Sequence, residues 1–192
     1  NASFAPGDAQ PGALAFVTQS GALATAMLDW ANGQDIGFSH FISLGDSADV
    51  DFGDLLDHLA LDPETKAILL YVESIADARK FMSAGRIAAR SKPVVVIKAG
   101  RSAAGAKAAF SHTGALAGAD IVYDAAFRRA GMLRVGDLRE LFDAVSLLSS
   151  GVQLRGERLA ILTNGGGAGV MAVDALEARG GRLAALAPST IE

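Results

Sequence analysis

The chain has no cysteine among its 192 residues, a single tryptophan, two tyrosines and three histidines. Without cysteine it forms no disulfide, offers no thiolate nucleophile and builds no cysteine-based metal site. The three histidines, His40, His58 and His112, share no metal-ligand spacing, so no metal site is expected. No apolar run approaches the roughly 18 residues that a membrane helix needs, and the N-terminus lacks a signal-peptide pattern. The expected location is the cytoplasm, with no membrane partner. The formal net charge is −4, and clustered Lys/Arg of the kind nucleic acids attract are missing, so no nucleic-acid partner is expected. Asn1-Ala2 opens without an initiator Met, and residues 1–11 are read as a leader or tag remnant on a piece of a longer protein. What the chain does have is apolar residues, 51% of the total, and enough length to bury a large core.

Those apolar residues come in short runs alternating with helical patterns. Strands are expected at 14–19 (LAFVTQ), 38–45, 67–73 (AILLYVE) and 93–100 (PVVVIKAG). Helical spacing follows each of the first three: Leu23, Met27 and Trp30 in the first, then 51–61, then 76–91. Continuous rather than alternating apolar runs fit strands covered on both faces. Strands alternating with helices give a parallel sheet with helices on both sides. The fold class is therefore α/β. Residues 101–119 break the rhythm; they are rich in glycine and alanine, show no periodicity and are read as a loop. Helices resume at 119–131 and 137–151, with Gly131 and Gly151 placed to stop them. A fresh strand–loop–helix unit begins at 158 and a further strand is expected at 182–187. One domain is thus expected over 12–151, and the start of a second, cut short, over 157–192. The helix of the second carries apolar Val170, Val173 and Leu176, which need a cover, so a homodimer that completes it is one expectation.

Two strand exits run through glycine into a helix: VTQSGAL (17–23), where Ser20 can cap a helix beginning at Gly21, and LTNGGGAGV (162–170), with Gly165, Gly166 and Gly167. Such junctions aim unpaired N–H groups and a positive dipole end at whatever lies above them, which suits phosphate. Each is also what an ordinary capped βα turn looks like. VTQSG has the shape of a serine nucleophile elbow as well, but Thr18 stands where G-x-S-x-G needs glycine. A third exit, LLYVES (69–74), puts Glu73 at the end of a central strand, either as a helix cap or as an orienting carboxylate. A nucleophilic histidine attacks with one ring nitrogen while the other keeps its proton, and a carboxylate on that N–H fixes the tautomer. His112 lies in FSHTGALAG (110–118), a stretch with little to pack against. Lys98, Arg101 and Lys107 flank it and can draw in an anion. His40, in a strand, and His58, on a helix, are read as structural.

SGAL (20–23), SLGDSADVDFGDLL (43–56), YVES (71–74), GRSAAGAKAAFSHTGALAG (100–118) and TNGGGAGVMAVDAL (163–176) together resemble the NDP-forming acyl-CoA synthetases. These are relatives of succinyl-CoA synthetase and include ADP-forming acetyl-CoA synthetases. The resemblance runs from about Gly12 to the end. It implies a flavodoxin-like, succinyl-CoA synthetase-like domain in which His112 takes a phosphoryl group from an acyl phosphate and passes it to ADP or GDP. Glu73 matches the carboxylate that steadies the histidine. Ser20-Gly21 and Gly165–Gly167 match two helix N-termini, from two domains, that hold the phosphohistidine. The resemblance also implies inorganic phosphate as a substrate. CoA, ADP/ATP and Mg belong to a complete enzyme with CoA-binding and ATP-grasp domains that nothing here supplies, so no cofactor is assigned to this chain. Asp46-Ser47 departs from the Gly-Asn-Lys turn expected there. Two rival readings stand beside the relay. One is a ligand-sensing module of a bacterial GNAT protein acetyltransferase; the other is a phosphoanion-binding domain without chemistry.

Overall fold

The computed structural model describes residues 7–113, 118–152 and 156–191; the side chains of 109–113 and 191 are not among those described. The chain divides into two compact units, Asn1–Gly151 and Val152–Glu192. In the first unit, five strands form one parallel sheet: β1 (Pro11–Thr18), β2 (Phe38–Ser43), β3 (Ala67–Val72), β4 (Val94–Lys98) and β5 (Leu133–Val135), in the order β2-β1-β3-β4-β5. This is the flavodoxin-like order, with a switch point between β1 and β3, the place where open α/β sheets bind ligands. The helices are α1 (Gly21–Asn32), α2 (Phe52–Leu61), α3 (Ala78–Ser91), α4 (Ala103–Thr113), α5 (Asp120–Ala130) and α6 (Leu138–Ser149).

The pleat sends alternate residues to the two faces. Ala15, Val17, Ile68, Leu70, Val94 and Val96 face α2, α3 and α5, in a core with Leu56, Phe81 and Phe127. Leu14, Phe16, Leu69, Val95 and Ile97 face α1 and α6, with Met27, Leu141 and Val145. Phe16 is fully buried and packs against Phe41, ring centroids 5.4 Å apart. Phe16→Ala is expected to destabilise the domain by about 3–5 kcal/mol, through lost transfer energy and the cavity left behind. Urea unfolding checks this, and a loss below about 1 kcal/mol would show that the core collapses around the gap.

Local signals set the helix ends. Ser20, Asp51, Asp77 and Asp137 each cap the helix that follows with a side-chain oxygen, and Asp51 with Asp54 completes a capping box. Gly131, at φ 84, ends α5 in the left-handed region that glycine tolerates. Two features differ from the sequence expectations. Residues 103–113, read as part of a loop, form α4. Alanine has the highest helix propensity and so gives a helix without any apolar–polar contrast; Ser102 Oγ accepts from Gly105 N–H at 3.0 Å at its start. The fifth strand, β5, is only three residues long, too short for a periodicity to register.

The second unit pairs β6 (Arg158–Leu159) with β7 (Arg182–Leu183) in parallel, joined through α7 (Gly166–Ala178), and ends in α8 (Pro188–Ile191). None of the residues of α7 is buried. Among the described residues no helix is long and apolar enough to cross a membrane.

Candidate functional site

The carboxyl ends of β1, β3 and β4 meet at the switch point. Past β1, Thr18 Oγ1 accepts from Ser20 N–H at 2.9 Å and turns the chain. Ser20 Oγ then accepts from Leu23 N–H at 3.3 Å as the N-cap of α1. The first N–H groups of a helix have no intrahelical partner, and a Cβ on Gly21 would meet nothing within 4 Å. The N-terminus of α1 therefore opens onto space, where its partial positive charge suits an anion.

Gln19, which the sequence reading passed over, ties this turn to the next strand. Its Oε1 accepts from Glu73 N–H at 2.7 Å and from Ser74 N–H at 3.0 Å. That fixes the backbone on which Glu73 stands. Glu73 is buried, 9% exposed, at the carboxyl end of β3. Tyr71, half-buried, has its hydroxyl pKa pushed up by burial and then by the Glu73 charge, so it stays a neutral donor.

Ser20, Tyr71, Glu73, Ala99, Gly100, Gly105 and Ala108 line one open cleft of about 320 Å³. Gly100, at φ 69, lets the chain turn from β4 towards α4. Gly105 keeps the turn close, since a Cβ there would sit 3.4 Å from Gly100 Cα. Gly105 and Ala108 thus carry one face of α4 against the cleft. With 3.6 residues per turn, position 112 falls on that same face. The His112 side chain, and residues 114–117 of the SHTGALAG stretch, lie outside the described residues. In the second unit Gly165 is the N-cap of α7, and a Cβ on Gly166 or Gly167 would meet nothing within 4 Å.

Lys98 ends β4, 2% exposed, with its Nζ 4.6 Å from the Tyr123 ring centroid and donating to the Ala99 carbonyl. Burial pushes its pKa below the ordinary lysine value; Asp120 pulls it back up, Arg134 pushes it down and Glu73 pulls it up. A lowered folded pKa means that the unfolded chain binds the proton more tightly. The cost of burying the ammonium is fully present below the depressed value and fades as pH rises towards the ordinary one. Lys98→Met should therefore gain stability over the natural chain near neutral pH, and urea unfolding should show that gain shrinking as pH rises. A gain that stays constant up to the alkaline limit would contradict it.

The remaining sequence candidates lie elsewhere. His40 Nδ1 is 3.5 Å from Asp62 Oδ2 and its ring meets His58 edge-on, away from the cleft lining. Asp46 and Ser47 line a separate, smaller cavity with Gln19, Ser74 and Asp77. Among the described residues no group of three or more His, Asp or Glu side chains gathers to hold a metal.

The succinyl-CoA ligase like flavodoxin domain family matches residues 11–148. The chain belongs to that family. Residues aligned to the alpha subunit of acetate–CoA ligase (ADP-forming) I of Pyrococcus furiosus are 49% identical, over 94% of this chain and 39% of that one. Acetate–CoA ligase (ADP-forming) I of Archaeoglobus fulgidus is 48% identical over 96% of this chain and 27% of its own. Among solved structures, the dinucleotide-forming acetyl-coenzyme A synthetase 1 of Ca. Korarchaeum cryptofilum, in complex with phosphate and ADP, superposes with a TM-score of 0.92. It is 42% identical, over all of this chain and 42% of that one. The chain thus spans well under half the length of these relatives. Within the succinyl-CoA ligase-like family they are acid–CoA ligases, and they lend no support to the acetyltransferase reading.

Proposed function

We propose that this chain is the histidine-bearing part of an ADP-forming acyl-CoA synthetase, and that His112 relays a phosphoryl group in the reversible reaction acyl-CoA + phosphate + ADP to acid + CoA + ATP. The observation that carries the reading is the single cleft in which Glu73 and the open N-terminus of α1 meet the face of α4 that includes position 112.

The chemistry follows from what each group can do. Inorganic phosphate attacks the thioester carbonyl, CoA leaves as thiol, and an acyl phosphate results. The unprotonated nitrogen of His112 attacks phosphorus; the P–O bond to the acyl group breaks and the carboxylate leaves with the electron pair. A β-phosphate oxygen of ADP then attacks phosphorus, and the N–P electron pair returns to the imidazole. Glu73 serves as the acceptor for the second ring N–H, which holds the tautomer and offsets positive charge on the ring. A phosphohistidine carries about two negative charges near neutral pH, by analogy with other phosphoresidues. The N-terminus of α1 offsets part of that charge, by up to about 2 kcal/mol where partly buried. Within the second unit, Gly165–Gly167 give α7 an open N-terminus of the same chemical kind. CoA, nucleotide and magnesium are assigned to the CoA-binding and ATP-grasp domains that the family resemblance implies for the complete enzyme. The relatives' names favour ADP over GDP and acetate or a similar small acid as the carboxylate.

A phosphoenzyme separates the reaction into halves. The complete enzyme should therefore exchange label between ADP and ATP with CoA and carboxylate both withheld. Exchange that requires all substrates together would favour direct transfer and count against the relay.

A further inference from the structure

The segment that carries His112 is tied at both ends by a cluster of charges that the relay itself leaves unexplained. Arg101 opens the segment, immediately after β4 and Gly100; Asp120 closes it as the first residue of α5. Arg101 Nε lies 3.9 Å from Asp120 Oδ2, and Arg101 Nη1 donates to the Gly136 carbonyl at 3.0 Å. From β5, Arg134 donates through Nη2 to Asp120 Oδ1 at 2.5 Å, and its Nη1 lies 3.4 Å from Asp124 Oδ1. The Arg134 side chain is only 10% exposed. Asp120 thus joins a largely covered arginine anchored in the sheet to a half-exposed arginine at the far end of the same segment.

The two arms of this clasp differ in kind. The Arg134 side chain is largely withdrawn from water, so losing Asp120 leaves it with Asp124 alone as a carboxylate partner. The Arg101 arm is exposed and contributes little to stability by itself. What it does is geometric: it brings the start of the segment to its end, 19 residues later, and fastens both beside β5. Bringing the ends of a chain segment together lowers its conformational entropy. Transfer to a nucleophile misplaced by about 1 Å can slow by up to a hundredfold.

We propose that Asp120 is a positioning residue, the hub of an Arg101–Asp120–Arg134 clasp that holds the segment of α4 and His112 in register with the Glu73 cleft. The proposal rests on the relay reading given above. It identifies as functional three residues that do not line the cleft.

The test is single-turnover phosphorylation of the complete enzyme by ATP, quenched in base and read as label on His112, with thermal unfolding in parallel. Arg101→Gln should slow labelling by on the order of tenfold with melting temperature and ADP affinity unchanged, a pattern that a merely structural role does not produce. Asp120→Asn should slow it at least as much, and Asp120→Glu should recover part of the rate. The Arg101→Gln/Asp120→Asn double variant should be no slower than Asp120→Asn alone, because both remove one contact. If Asp120→Asn proves unstable, Arg101→Gln decides, since it leaves the Arg134–Asp120 pair in place. Labelling at the natural rate in Arg101→Gln overturns the clasp. Label that persists in His112→Ala instead overturns the relay on which it rests, a separate and recognisable outcome.

Discussion

His112→Ala in the complete enzyme should abolish acyl-CoA-dependent formation of ATP, to below detection, while the domain melts at its usual temperature. The expected loss is total because a relay has no bypass: the imidazole is the group proposed to take the phosphoryl group from the acyl phosphate. Nearby hydroxyls are poor substitutes. Ser20 Oγ is already engaged as the cap of α1, and burial and the Glu73 charge keep the Tyr71 hydroxyl protonated. Stability should be spared, since position 112 lies in the last turn of an alanine-rich helix where alanine is the best helix former. Retention of even a few per cent of the turnover would mean that the histidine assists rather than carries the group. Coupled enzyme assay of ATP, beside a thermal melt, reads both halves of the expectation.

Glu73→Gln should be the second largest change: a kcat lower by up to about ten-thousandfold, the loss seen when a carboxylate that orients a catalytic histidine is replaced by its amide. KM for ADP should be little altered. The substitution keeps the side chain's size, and Gln19 holds the backbone at 73 and 74 through main-chain N–H groups that the change does not touch. What is lost is the negative charge that fixes the tautomer and supports a positively charged ring during transfer. A fall in ADP affinity with kcat preserved would assign Glu73 to nucleotide binding and remove it from the relay.

Much of the fold is written locally. The apolar runs at AILL and VVVI announce strands buried on both faces, and Ser20 announces the start of α1, because a cap needs only the next three residues. The parallel sheet expected from that alternation is observed, with the short β5 as a fifth strand that the alternation did not show. α4 was hidden because an alanine-rich segment becomes helical through backbone propensity and leaves no apolar stripe to read. Of the cleft, Ser20 and Glu73 were visible as strand-exit residues, since exits at the carboxyl edge of a parallel sheet converge. Gln19 was not: its partners lie 54 and 55 residues away, and an amide after a strand has no periodic signature. The same holds for the clasp, where Arg134 meets Asp120 at a separation of 14 and Arg101 meets Gly136 at 35. Arg101 was visible as one of three cations flanking the histidine, but which carboxylate it meets is a property of the packed sheet alone.

The central claim is a phosphoryl group held on nitrogen, and the stability of the bond tests it most directly. The complete enzyme is incubated with ATP labelled at the γ-phosphate, freed of nucleotide, and divided between acid and base. The account predicts label that is lost in acid and retained in base, as an N–P bond is, that passes to added ADP, and that is absent from His112→Ala. Label that survives acid, or that remains undiminished in His112→Ala, would contradict it.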